Sequence, residues 1–389
     1  MNRGTFRLAA ATVALACALI LWWMERPAQP PQTAGGTPGP GAPLPPPTPD
    51  AIPAAFAPPA PHTPPTIAAL LDDALAQIKA AGDAQASREI LAALRRRLDA
   101  LPRDLASREV QTFLSLKRDA PTRIDVTVQA GGRLGDTSSL RVFLLDYLGQ
   151  IDRPAAAAAG REILGTPTSA DEWAVSLRNV AWAEDTPDTL AYLRAKAREM
   201  IANAEWRQSP SAGFLEAFDV IVHARGFDLT PQLGALVRDK ENRAVAHAAY
   251  LTLDRLTLAD PARALEALSA RPELMEGREQ TRANFFARAD VRDPLQRSLL
   301  ESYLIDPRRS TEELQTFAGL FPNVNQMISG NLLTLTPTPG NADMAARDRA
   351  AIATVEAWLA DPRFSRLRPH LSATRARLEG LLPQAAPQP

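Results

Sequence analysis

The sequence predicts an all-α protein, an α-solenoid of stacked helical hairpins behind an N-terminal transmembrane helix and a proline-rich linker. Three observations predict it. Residues 8–24 form an apolar run interrupted only by Thr12 and Cys17. Residues 27–65 hold 16 prolines in 39 positions. From Thr66 onward, apolar residues recur at helical spacing, with acid–proline and hydroxyl–proline pairs marking helix starts.

The apolar run comes first. At 1.5 Å per residue its 17 residues span about 26 Å, close to the ~30 Å hydrocarbon core of a bilayer. Arg3 and Arg7 precede it, Glu25 and Arg26 follow and cancel, and Trp22 and Trp23 stand where an interfacial belt lies. Positive charge stays on the cytoplasmic side, which predicts a single-pass inner-membrane anchor over residues 1–26 with the rest of the chain periplasmic or extracytoplasmic. Two other fates stay open. Cleavage needs small residues after the run, where Trp22, Trp23, Met24 and Glu25 stand instead. Lipidation at Cys17, the single cysteine, rests on a resemblance of residues 14–17 to a bacterial lipobox, with Ala14 and Leu15 in place of its leucine and small residue.

Residues 27–65 follow as a linker. Proline removes backbone donors, and the few apolar side chains there cannot offset the entropy of ordering. An extended polyproline-like chain of this length reaches at most roughly 120 Å, which suits a tether for the domain beyond it.

The remaining 66–384 reads as one helical repeat domain. Ile67, Leu70, Leu71, Leu75 and Ile78 make one apolar stripe; Ile90, Leu91, Leu94, Leu98 and Leu101 make the next; Val110, Phe113 and Leu114 mark a third. Between residues 121 and 138 the period changes to two, with Ile124, Val126 and Val128 alternating with polar residues before Gly131-Gly132, which predicts a small β-hairpin. Its bland role is to cover a helix edge, and its sharper one is a partner-binding loop. Later helices start at Asp152-Arg153-Pro154, Asp185-Thr186-Pro187, Ser209-Pro210, Thr230-Pro231, Asp260-Pro261, Asp293-Pro294, Asp306-Pro307 and Asp361-Pro362, where a capping oxygen precedes a proline that needs no donor. Several successive markers lie 20 to 33 residues apart, the spacing of helical hairpins stacked in a row. Residues 140–151 are expected to be the best-buried helix, with Leu140, Leu144, Leu145, Leu148 and Ile151 on one face.

Residues 139–152, followed by Pro154 and an alanine-rich stretch to Leu164, resemble the second helix of one HEAT unit and the first of the next. Arg141 stands near the start, Leu144, Leu145 and Leu148 on one face, and Gly149, Ile151 and Asp152 at the exit. A weaker copy runs from Asn242-Arg243 through Ala246, Ala249, Leu253 and Leu256 to Asp260-Pro261. The resemblance implies a HEAT-like scaffold. A second resemblance is to lipase-specific foldases, which share the anchor, the linker and an all-helical exported domain that embraces a secreted lipase. Their hallmark R-x-x-F-D-Y-F/C-L is matched here by Asp146 and Tyr147 within Leu145-Asp146-Tyr147-Leu148-Gly149, with Leu145 for phenylalanine and Arg141 one residue out of phase.

Basic and acidic residues nearly balance, 43 against 44, and are interspersed, so no nucleic-acid footprint is present. The densest basic spots, Arg95-Arg96-Arg97 and Arg308-Arg309, read as solvated helix faces. His223, His247 and His370 are far apart, and no zinc, phosphate-loop, dinucleotide or nucleophile-elbow motif occurs. The acidic pairs Asp72-Asp73, Asp171-Glu172 and Glu312-Glu313 read as helix starts or polar faces, and Trp173, Trp182, Trp206 and Trp358 as core. No catalytic, metal or cofactor residue is therefore assigned, no cofactor is expected, and binding residues are unknown. The expected function is a non-enzymatic scaffold that binds a protein partner of unknown identity and touches the membrane through its N-terminal helix. No small-molecule substrate is evident. An α/α-toroid enzyme is the alternative of a different class.

Overall fold

The computed structural model describes residues 66–325, 331–335 and 341–382. They belong to one unit of the chain, Thr63–Pro389. The expected anchor (1–26) and linker (27–65) lie outside the described residues. Among the described residues every regular element is a helix, and none is long and apolar enough to cross a membrane.

Three helices open the domain: α1 (Ile67–Ala80), α2 (Ala84–Asp99) and α3 (Arg103–Ser115). After the segment 116–139 come α4 (Leu140–Ile151), α5 (Arg153–Ile163), α6 (Ala170–Ala183) and α7 (Pro187–Ala202). Three single-turn pieces follow, α8 (Ala204–Gln208), α9 (Ala212–Glu216) and α10 (Asp219–His223), and then α11 (Thr230–Val237), α12 (Arg243–Ala259) and α13 (Pro261–Ala270). The chain ends with α14 (Glu279–Phe286), α15 (Pro294–Ile305), α16 (Thr311–Leu320), α17 (Asn341–Ala360) and α18 (Arg368–Leu381). Packing is mostly between sequence neighbours. Helix α4 lies on α5 and α6, α6 on α7, α7 on α10, α10 and α11 on α12, α12 on α13, α14 on α16, and α16 on α18.

Capping explains most of the starts and corrects some. Ser139, Asp152, Asp260 and Asp293 accept backbone N–H groups of α4, α5, α13 and α15. At α7 the cap is Thr186 rather than Asp185, because its hydroxyl stands directly before Pro187. Ser209-Pro210 starts nothing; Ser211 caps α9. Thr230 opens α11 without capping it, its hydroxyl donating instead to the Phe227 carbonyl (2.7 Å). Asp306 closes α15 and binds Arg308 and Arg309, and Asp361 starts only a 3-10 turn.

No β-hairpin forms at 121–138. Two isolated antiparallel bridges remain, Pro121 to Ser139 and Val128 to Leu134. Gly131 and Gly132 do turn the chain, at φ of 80° and 79°. Side chains take donors that a ladder would use: the Thr127 hydroxyl accepts from Asp136 N (2.8 Å), and the Asp146 carboxylate accepts from Leu134 N (3.1 Å). Ile124, Val126 and Leu134 are nevertheless buried, so the alternation was a true packing signal.

Helix α4 buries ten of its twelve residues, and α6, beside it, buries twelve of fourteen. The expectation that α4 is the best-buried helix is thus shared with its neighbour. Buried leucines such as Leu144 and Leu145 each hold about 2–5 kcal/mol against truncation. Between them runs something less expected. Arg141 meets Glu172 (3.0 and 3.2 Å), Asp146 meets Arg178 (2.7 Å), Asp219 meets Arg255 (2.7 Å), Asp254 meets Arg288 (2.5 and 2.9 Å), and Arg282 meets Glu313 (2.7 Å twice). The pairs span 31, 32, 36, 34 and 31 residues. Four of them link one helix to a later one, two of these joining α4 to α6, and the fifth ties α12 to Arg288 just past the end of α14.

Candidate functional site

The site is built from α4 outward. Arg178 on α6 is wholly buried, and its guanidinium donates to Asp146 Oδ1 (2.7 Å), to the Gly132 carbonyl (2.7 Å) and to Asn179 Oδ1 (2.9 Å). Burial pulls the Arg178 pKa below its ordinary value, and the Asp146 charge opposes that pull. Asp146 also accepts from Gln150 Nε2 (2.6 Å) and, at 3.5 Å, from Arg95. This network holds the Gly131-Gly132 turn down on α6, beside Trp182, whose ring lies 4.0 Å from the Arg178 guanidinium.

At that turn the chain receives a distant segment. A Cβ placed on Gly132 would stand 2.1 Å from the Leu332 carbonyl oxygen and 3.3 Å from the Trp182 ring, so only glycine lets residues 331–335 approach. The same segment reaches α10. Asp219 Oδ2 accepts from two successive backbone N–H groups, Leu333 (2.7 Å) and Thr334 (2.8 Å), and its Oδ1 accepts from the Thr334 hydroxyl. Arg255 of α12 balances the Asp219 charge from the other side. Leu332 is buried, Leu333 half-buried, and Leu335 81 % exposed.

Next to Asn331 and Asp219 lies a cavity of about 270 Å³, walled by Leu215, Phe218, Leu251 and Leu258 with Glu216 and Arg255 among them. Burial and the neighbouring Asp219 charge push the Glu216 carboxyl above its usual range, with Arg255 opposing. A second cavity, about 450 Å³, opens between α2, the 121–138 segment and α4. Arg88 there is paired with Asp136 (2.8 Å), and Arg95 covers the rings of Phe143 and Tyr147 while bonding Gln150 (3.2 Å). Burial and the nearby Asp99 push the Tyr147 hydroxyl up to about 12. Its arginines mostly serve the fold, which leaves the seat of 331–335 as the better candidate for recognition.

The residues singled out in the sequence fall mainly into structure. Arg141, Asp146 and Tyr147 are all buried in α4, where the first two hold ion pairs. Asp171, Glu172, Glu312 and Glu313 do stand in the first turns of α6 and α16, yet Glu172 and Glu313 are buried in pairs with Arg141 and Arg282, and Asp171 is buried on Ser211 and Gly213. Of the two basic spots, Arg96, Arg97 and Arg308 are exposed as expected and Arg95 is half-buried, but Arg309 is buried against Asp306 and the Tyr303 ring. Asp72, by contrast, is exposed and pairs with Arg118. Trp173 packs on Trp206, and Trp358 on Phe321 and Phe364. His247 stacks on Tyr250, while His223 is half-buried with its pKa lowered by burial. Among the described residues no three His, Cys, Asp or Glu side chains come together as a metal site. Asp219, Gly132 and residues 331–335 were missed by sequence reasoning, since their only signal is a contact across more than 110 residues. No family model, curated protein or solved structure matches the chain.

Proposed function

We propose that the protein is a HEAT-like α-solenoid, tethered to the inner membrane by residues 1–26 and 27–65, that grips another protein outside the cytoplasm and performs no chemistry itself. Neighbour-to-neighbour packing and ion pairs recurring at 31 to 36 residues support the repeat reading. A closed toroid would pack its last helices on its first, and the main packing partners among the described residues are instead close in sequence. The observation that carries the binding reading is the seat of residues 331–335. There a face of the array holds a bent piece of the chain's own polypeptide, with two successive backbone N–H groups donated to one carboxylate.

The test is crosslinking of the full anchored chain in its native membrane, followed by affinity capture and mass spectrometry. A single exported protein recovered in near-equal amount is the expected result. Recovery of lipids and bulk membrane proteins alone would refute the reading. The foldase-like alternative differs in what the partner gains: the captured protein would be a secreted enzyme inactive without this chain.

A further inference from the structure

We infer that a third cavity, of about 510 Å³ between the loop 238–242, α12 and the start of α14, is a binding site for a phosphate monoester, with Lys240, Arg243 and Arg278 around the phosphoryl group. Such a site stands whether or not the array grips a protein. Charge points to the ligand. Among the described residues the side chains of Lys240, Arg243 and Arg278 have no hydrogen-bond or ion-pair partner, in a chain whose buried arginines meet acids. The one acid lining the cavity, Asp239, accepts the Glu241 N–H (2.8 Å). Glu241, Glu276 and Glu279 are neighbours in sequence that do not line it, and Glu279 is engaged by the Gly277 N–H (3.1 Å). Three cations less one anion leave an excess of two positive charges. A phosphate monoester carries about −1.5 to −2 at neutral pH and balances that excess, whereas a single carboxylate leaves a cation over. The two guanidinium forks match phosphate oxygens in pairs, and the half-buried Thr281 adds a hydroxyl donor.

The placement of these cations works against the fold. Arg243 is the first residue of α12, which has no acid in its first turn, and Arg278 is the N-cap of α14 without a capping side-chain bond. A helix start carries partial positive charge and favours aspartate or glutamate there. Two arginines set at helix starts against that preference, on one cavity, are accounted for by an anion that binds between them. The walls are fixed beforehand. Asn242 caps α12 by accepting from Val245 N (3.2 Å) and donates to the Arg207 carbonyl (2.7 Å). Tyr250 is stacked between His247 and Phe285, with ring centroids 6.3 and 5.7 Å away, and its hydroxyl accepts from Asn284 (3.0 Å). Gly277, at φ of 71°, turns the chain into Arg278. Lys240, Arg243 and His247 are exposed, so a phosphoryl group reaches them from solvent and the rest of the ligand lies against the His247 and Tyr250 rings.

The test is isothermal titration calorimetry of the full chain in uncharged detergent micelles with glycerol 3-phosphate, and with dihexanoyl phosphatidate as a lipid carrying the same headgroup. Saturable binding of a phosphate compound is expected, and none of glycerol. Binding of glycerol 3-phosphate assigns the site to free phosphate monoesters, and binding of the phosphatidate alone assigns it to a lipid headgroup; either supports the site. Arg243→Gln and Arg278→Gln should each weaken binding about tenfold or more, because each removes a charge-assisted fork. Arg238→Gln, at an exposed arginine of the same loop that does not line the cavity, should leave it unchanged. Arg243→Gln carries a second signature. Removing a cation from the start of α12 should raise the melting temperature of the ligand-free chain while weakening binding, and a lower melting temperature would make Arg243 a structural residue and overturn the inference. No saturable binding of either phosphate compound, unchanged affinity in both variants, or equal binding of the dicarboxylate succinate overturns it as well.

Discussion

Asp146→Ala is expected to cost the protein at least as much stability as truncating the neighbouring Leu145. The reason is what it strands. Arg178 has no exposed surface, and without Asp146 its charge faces only the neutral Gly132 carbonyl and Asn179 amide oxygen. Charge centres about 4 Å apart attract by about 4 kcal/mol at an effective dielectric near 20. Breaking such a buried pair from one side costs about 3–5 kcal/mol. The reverse deletion is milder. Arg178→Met leaves Asp146 with Leu134 N, Gln150 and the cationic Arg95 as donors, so about 1.5–3 kcal/mol is lost. Replacing both, as Asp146→Leu with Arg178→Met, removes the desolvated charges together and should return to within about 1 kcal/mol of the native chain. Urea unfolding at neutral pH, followed by far-ultraviolet circular dichroism and tryptophan fluorescence, measures all three. If Asp146→Ala shifts stability by less than about 1 kcal/mol, or the double variant is weaker than either single one, the pair is not the buried unit described.

Leu145→Ala, at a wholly buried position, should lower stability by about 2–5 kcal/mol, and a thermally silent variant would make α4 peripheral. His223 has its pKa lowered by burial, so the folded state resists a proton that the unfolded chain accepts below about pH 6.5. Stability contributed at neutral pH is therefore lost as pH falls through that value, and His223→Gln should lose less on acidification; parallel stability curves would contradict the assignment. A reporter that is active only outside the cytoplasm, fused after Pro65, should be active, and activity of a cytoplasm-only reporter there would reverse the expected orientation.

Helices were legible because their signals are local. The stripes Leu70-Leu71-Leu75-Ile78 and Leu91-Leu94-Leu98 set the buried faces of α1 and α2 before any contact is known. Caps were legible where one oxygen directly precedes the helix, as at Asp260 and Asp293, and misplaced where a rival stood one or two residues away, as with Thr186 and Ser211. The 121–138 segment shows a different limit. Its alternating burial was read correctly, yet whether two strands pair depends on what else claims their N–H groups. The claimant for Leu134 is Asp146, twelve residues on in another element.

The candidate site was illegible for a related reason, and the ion pairs explain why. A charged side chain carries no periodic apolar signature, so Glu172 looked like a helix start or polar face, Arg141 and Asp146 stood out only through the two resemblances, and Arg178 did not stand out at all. Read as pairs 31 to 36 residues apart they would have pointed to elements that meet, because a carboxylate and a guanidinium are buried together only where they can reach each other. The apolar pattern does not show which elements meet, since leucine, valine and alanine exchange freely within a packed stripe while a buried arginine needs its acid at one place. Breaking a pair costs more than losing a methylene, so the spacing of buried charges is the more conservative record of how this array is stacked. The same logic marks Asp219 as different. Asp146 also accepts a backbone N–H, from Leu134 twelve residues away, whereas Asp219 accepts from Leu333 and Thr334 more than 110 residues along the chain, a pairing that no local pattern announces.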